Sequence, residues 1–183
     1  ELTWVLSSDN AHGKMKDFLQ KVEDEESKEE QIRKFTNVSA NGTRHFMFNS
    51  DTRLLPMRAE VRAALQQAWN AEGYGKTLEK VGWHVQEWND EFFHIIDYAE
   101  RIGSGDGSYG NPRYYVLING TDKFKNASLN NIILDIKFEP KPAARATMSA
   151  ADGAWYDSLF ENEGSRVIHA QRRLTCYTDP WLG

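Results

Sequence analysis

The chain is short of several things, and each shortage narrows its function. Cys176 is the single cysteine among 183 residues. No internal disulfide can form, and a lone thiol fits a reducing cytoplasm. No apolar run approaches the roughly 20 residues that span a bilayer, so no membrane partner is expected. Positive charge is scarce: 22 Lys and Arg against 27 Asp and Glu leave a formal net charge of −5. A general nucleic-acid binder usually shows the opposite balance, so no nucleic-acid partner is expected either. The five histidines, at 12, 45, 84, 94 and 169, share no ligand-like spacing with each other or with Cys176, which predicts no metal site. Ser104, Ser108 and Ser165 lack any nucleophile motif. An acidic catalytic loop and a metal-binding acid motif are both missing. No secretory leader is visible, and the chain starts at Glu1 without Met. The sequons at Asn37, Asn41, Asn119 and Asn126 therefore read as Asn-rich turns.

What is present suits one domain with a sizeable core, rich in Trp, Tyr and Phe. Residues 15–34 read as a helix, with Met15, Phe18, Leu19 and Val22 on one face and a charged run from Glu23 to Glu30. Segments 34–38 and 44–48 flank Asn41-Gly42 and predict a hairpin with a tight primed turn. Val61, Ala64, Leu65, Ala68 and Trp69 mark a helix ended near Gly73 and Gly75. A long helix is expected from Thr77 to about Glu100, because Leu78, Val81, Val85, Trp88, Phe92, Ile95 and Ala99 recur at spacings of three and four. Residues 122–131 read as a polar hairpin insert. Pro140 and Pro142 forbid continuation of the preceding strand. Ser149 is a candidate N-cap for a short helix through Phe160, and a second helix runs from about Glu163 to Thr175.

The chemistry concentrates in residues 101–137. RIGSGDGSYGNPRYYVLING holds a Gly-x-Gly-x-x-Gly set, Gly105, Gly107 and Gly110, that runs into strand residues rather than opening a helix. A dinucleotide fingerprint would need that helix. Glycines let backbone N–H groups approach a phosphate closely, whereas the carboxylate of Asp106 would repel one. In IILDIKF, Ile132, Leu134, Ile136 and Phe138 alternate onto one face and leave Asp135 and Lys137 on the other. A glycine turn between two strands with a lysine on the next strand is how a kinase-like small lobe covers a nucleotide. The expected geometry is a turn at Gly105, Gly107, Ser108 and Gly110 between strands 99–104 and 113–119, with Lys137 on the adjacent strand. On the last helix, Glu163, Val167, Gln171 and Leu174 share a face. Gln171, in that stripe, needs a buried partner, and Lys137 is the expected one, met by Gln171 or Glu163. The plainer readings are a flexible turn, a solvent-facing lysine and a glutamine bonded to backbone.

The order of these segments resembles a bacterial family known as domain of unknown function 2252. Asp97, Ala99 and Arg101 match its Asp-x-Ala-x-[Arg/Lys] lead into a glycine-rich turn. Arg113 and Tyr114 match its Arg-Tyr strand, and Leu134, Asp135 and Lys137 its lysine strand. Arg166, Val167, Gln171 and Arg172 match its Arg-Val-Val-x-Gly-Gln-Arg helix, and Leu182-Gly183 its closing pair. The chain departs from the pattern at Phe138, between Lys137 and Glu139, and at Ala170, in place of a glycine. The matches cover roughly residues 92–183. The resemblance implies a protein-kinase-like fold grouped with small-molecule phosphotransferases. It also implies a Gly-Asp-x-His-x-x-Asn loop and a second Asp-rich motif preceding the matched region, which this chain lacks.

Together these readings predict an α+β protein: a small antiparallel sheet of about three to five strands with flanking helices, a protein-kinase-like small lobe. Residues 1–75 form a helical and hairpin lead-in, and 76–183 the lobe, as a fragment of a larger cytoplasmic protein. The expected ligand is ATP, held by Gly105, Gly107, Ser108, Gly110, Lys137, Gln171 and Glu163, with Mg²⁺ bound only when the missing acids are supplied. The full-length protein would then be an ATP-dependent phosphotransferase and this chain alone inactive. The alternative is a non-catalytic kinase-like or partner-binding module, favoured by Asp106 and the missing acids; its partner would be another protein or the remaining lobe.

Overall fold

A computed structural model describes residues 6–25, 27–80, 90–103, 110–120 and 130–175. The fold is α+β, with two small antiparallel sheets and six helices among the described residues. Helices α1 (Gly13–Glu25) and α2 (Lys28–Phe35) lead into the hairpin β1 (Thr36–Val38) and β2 (Arg44–Phe46). Strand β3 (Leu54–Pro56) precedes helices α3 (Ala59–Ala68) and α4 (Ala71–Lys80). The meander β4 (Ile95–Arg101), β5 (Arg113–Ile118) and β6 (Ile132–Lys137) follows, and then α5 (Ala150–Ser158) and α6 (Glu163–Leu174). The main sheet has the order β3-β4-β5-β6, all antiparallel. No helix among the described residues is long and apolar enough to cross a membrane.

Local chemistry explains where the elements begin and end. Residues 15–34 are two helices rather than one, because the Ser27 side chain accepts from the Glu30 N–H and starts α2 afresh. Glu29 and Glu30 in its first turn and Arg33 and Lys34 in its last complement the helix dipole. The β1–β2 hairpin forms as expected, but its turn is not the two-residue primed type. Ser39 N–H pairs with Thr43 C=O, and Gly42 N–H donates to Ser39 C=O with Gly42 at φ +84°. A three-residue loop closed by a left-handed glycine results. Gly73 does not end a helix: Asn70 Oδ1 accepts the Gly73 N–H at 2.9 Å and caps the start of α4, so Gly73 and Gly75 lie inside that helix. Ser149 caps α5 as expected, accepting from Asp152 N–H, and Asn162 does the same for α6 through Ser165 N–H.

The largest departure concerns the expected helix from Thr77 to Glu100. Helix α4 is described through Lys80, 81–89 (with Val81, Val85 and Trp88) lie outside the described residues, 90–93 form a 3₁₀ turn, and 95–101 are strand β4. The spacing of three and four ran on by coincidence through Ile95 and Ala99. Paired to β5, Ile95 and Ala99 instead lie on opposite sheet faces, with a register shift between Ile95 and Asp97. Phe92 is buried as expected, but in the 3₁₀ turn.

Two apolar clusters sandwich the sheet. One face packs Leu54, Ala99, Tyr115, Leu117 and Ile133 against Ile32 and Phe35 of α2 and Phe46 of β2. The other packs Tyr98, Val116, Ile118, Ile132, Leu134 and Ile136 against Phe92, Phe93, Leu65, Trp69 and Tyr74. Strand β5 is central, and Val116, Leu117 and Ile118 are fully buried. Each such side chain stabilises the fold by roughly 1.5–3 kcal/mol. The first 75 residues thus supply a strand and core side chains to the same sheet. Asp97 joins the two sheets: its Oδ2 accepts the Phe46 N–H at 2.8 Å, and its Oδ1 accepts the Tyr98 N–H at 2.8 Å.

Candidate functional site

The β4–β5 connection is the glycine-rich segment. Gly103 and Gly110, at φ +64° and +80°, frame it; Gly105, Gly107 and Ser108 lie outside the described residues. Positive φ at both ends is where glycine is needed, since an L side chain would be strained there. The segment joins two paired strands: Glu100 pairs with Tyr114, and Gly110 leads into β5 rather than into a helix.

Lys137 is on the neighbouring strand, at the same end of the sheet as the loop. It is the cross-strand partner of Arg113, the first residue of β5, and the next residue, Phe138, donates its N–H to Pro112 C=O at 3.1 Å. Phe138 itself stands past the strand end and is exposed, so the expected apolar row stops at Ile136. By register, Asp135 and Lys137 share the face of Ile133, the one that carries α2.

Arg101, Arg113, Asp135 and Lys137 therefore gather at this end. Arg113 grips Asp135 bidentately, Nε to Oδ1 at 2.7 Å and Nη2 to Oδ2. That bond raises the Arg113 pKa above its ordinary value, against some desolvation. The Arg113 guanidinium also lies over the Tyr115 ring, at 5.9 Å. Arg101 donates to Thr52 C=O, and its guanidinium sits 5.4 Å from the Phe35 ring and 5.7 Å from that of Tyr115. Its buried Nε has no hydrogen-bond partner among the described residues. The Lys137 side chain is 48% exposed, and its ammonium is 3.9 Å from Asp135 Oδ2, outside hydrogen-bond reach.

Helix α6 does not hold Lys137 in the expected way. Glu163 accepts from Tyr156 Oη at 2.8 Å and from Arg166 Nε at 2.6 Å. Arg166, more than Tyr156, keeps the Glu163 carboxyl below its ordinary pKa. These near neighbours satisfy Glu163, which leaves no reason for it to reach β6. Gln171 is exposed, so its amide has water and needs no buried partner. Even so, Gln171 and Lys137 border one cavity of about 930 Å³. Every residue of β6, of both parities, lines it, together with Trp69, Tyr74, Val167 and Ile168. The cavity thus runs along the outer edge of the sheet, with its wall from Trp69 and Tyr74 on the α3/α4 side, the face opposite the one Lys137 shares with Ile133.

Sequence reasoning missed Arg101 and Arg113 as members of this corner. The signal available was parity alone: in a strand beginning at Arg113, that residue shares a face with Tyr115. No group of three or more His, Cys, Asp or Glu residues poised for a metal occurs among the described residues.

A family model described as an uncharacterized protein conserved in bacteria (DUF2252) matches residues 2–183. The match extends the likeness beyond the motifs of the C-terminal half to nearly the whole chain. No curated protein and no solved structure matches.

Proposed function

We propose that this chain, which belongs to the DUF2252 family, is the nucleotide-binding small lobe of a kinase-like protein, with the β4–β5 glycine segment and Lys137 holding the phosphates of ATP. The observation that carries the reading is positional. The Arg113–Lys137 pair ends the β5–β6 ladder where the glycine segment enters β5, and the Lys137 ammonium is half-exposed and loosely paired. A mobile point charge beside glycine N–H groups suits phosphate oxygens. Arg101 and Arg113 add positive charge at the loop end of this face, against Asp135; Asp97, the other acid on the face, is further from the loop and accepts from Phe46 and Tyr98 N–H. In this proposal the acids that bind Mg²⁺ and orient an acceptor lie outside the chain, and the chain alone transfers no phosphoryl group.

The test is thermal unfolding with ATP, with and without Mg²⁺, on the wild-type chain and Lys137→Ala. Ligand at a hundred times Kd stabilises by about 2.7 kcal/mol. The wild-type melting temperature should rise and that of Lys137→Ala should not respond. Equal responses, or none in the wild type, would overturn the reading. A second reading, a non-catalytic partner-binding module, rests on the cavity along the β6 edge, whose apolar wall includes Trp69, Tyr74, Val167 and Ile168. It predicts no response to ATP in either protein.

A further inference from the structure

Asp135 stands between two cations on one sheet face. Lys137 is two residues on along β6, and Arg113 is diagonal to it across the β5–β6 ladder. We propose that Arg113 is a positioning residue: by holding Asp135 in a bidentate pair it keeps the Lys137 ammonium free for an anionic ligand at the loop end of the sheet. The inference rests on the phosphate-binding reading of Lys137 given above.

Geometry favours this division of labour. A guanidinium fork matches both carboxylate oxygens, whereas an ammonium can take them only as a point charge. Arg113 uses Nε and Nη2 on the two oxygens, while Lys137 stays 3.9 Å from Oδ2. The fork is itself seated. It lies over the Tyr115 ring, and that ring is buried edge-on against Phe35, with centroids 5.3 Å apart. Lys137 has no such support and is the most exposed of the three charged side chains. If the fork were removed, Asp135 would have one cation left within reach. A small rotation of either side chain would close the 3.9 Å gap to a hydrogen bond. The ammonium would then be partly neutralised before any phosphate arrived, and the freed carboxylate would repel the ligand.

The proposal is tested by calorimetric titration of the full chain with inorganic triphosphate, using the wild type, Arg113→Gln, Asp135→Asn and the double variant. Arg113→Gln should bind about three- to fivefold more weakly, the range a competing ion pair at a half-exposed site can supply. Asp135→Asn should bind as tightly as the wild type or more so. The double variant should return to within about twofold of the wild type, because the competitor is gone. Affinity unchanged in Arg113→Gln, or a double variant as weak as Arg113→Gln alone, would overturn the positioning role. If Arg113→Gln does not fold, Asp135→Asn decides: weaker binding there contradicts the proposal, and equal or tighter binding supports it. Failure of the wild type to bind triphosphate overturns the phosphate-site reading, and this inference with it. A wild type that binds alongside an indifferent Arg113→Gln overturns only the inference.

Discussion

The two faces of the main sheet share strands and register but change differently along their length. On the face covered by α3 and α4, the β5–β6 pairs are Ile118–Ile132, Val116–Leu134 and Tyr114–Ile136. Five of those six are aliphatic, with a tyrosine only at the loop end. On the face covered by α2, the pairs run Leu117–Ile133, Tyr115–Asp135 and Arg113–Lys137 toward the glycine segment. Across β5 and β6 the first face stays apolar to its last, partly buried pair, and its one charge at that end, Glu100 of β4, is paired with Arg58. The other passes from core through an aromatic step to charge within three pairs. Charges tolerated at the end of an otherwise apolar face mark where packing stops constraining the residues. That is the physical reason for locating the candidate site there.

The contrast should appear first as a difference in stability. Phe93 is fully buried, with Tyr74 and Phe92 edge-on to it at 5.3 and 4.9 Å. Phe93→Ala should destabilise by about 3–5 kcal/mol in urea unfolding. A cost under about 1 kcal/mol would mean that this face is not core and would break the comparison. Asp97 comes next, because its carboxylate fastens the β1–β2 hairpin to the main sheet through Phe46 N–H. Asp97→Ala should cost about 1.5–3 kcal/mol, the range for a hydrogen bond to a charged group. Removing the α5 cap with Ser149→Ala should cost about 1 kcal/mol. Lys137→Ala should change stability by no more than about 0.5 kcal/mol, as befits a surface position free of packing. A loss of several kcal/mol there would place Lys137 among the structural residues.

The smallest expected effect is a pH dependence remote from the site. Arg145 and then Lys141 hold the Asp157 carboxyl well below its ordinary pKa of 3.8. A carboxylate depressed by folding contributes stability that is whole above its unfolded pKa and fades as pH falls through the folded one. Asp157→Asn should therefore flatten the acid side of the melting-temperature profile below about pH 4 and leave the neutral side nearly parallel to wild type. An unchanged acid limb would show that the pair is too solvated to matter.

Much of this architecture was legible in the sequence where local chemistry decides it. The Asn41-Gly42 hairpin, the Ser149 cap, the alternation of β6 and the glycine segment between strands all rest on residues close in the chain. Strand β4 reads as helix in the sequence because Ile95 and Ala99 fit the helical period, whereas their opposite faces in the sheet depend on pairing with β5 and on the register shift between Ile95 and Asp97. The break at Ser27 was hidden by charged residues compatible with helix on both sides. At the corner, parity alone put Lys137 on the face away from Ile132, Leu134 and Ile136, as the register has it. The Arg113–Asp135 pair was not legible in that way, because it depends on the exact β5–β6 register. The expected link from Gln171 or Glu163 to Lys137 failed for a tertiary reason. Glu163 finds Tyr156 and Arg166 nearer, and Gln171 faces water.

The central claim, that phosphate meets Lys137 beside the glycine segment, can be tested by lysine footprinting. The chain is treated with an amine-reactive acylating reagent, with and without saturating ATP, and modification is read by mass spectrometry. Lys141, on the same chain segment and paired with Asp157, is the internal reference. The account predicts that ATP lowers modification of Lys137 several-fold and leaves Lys141 unchanged. Equal modification of Lys137 with and without ATP, while another lysine is protected, would contradict it.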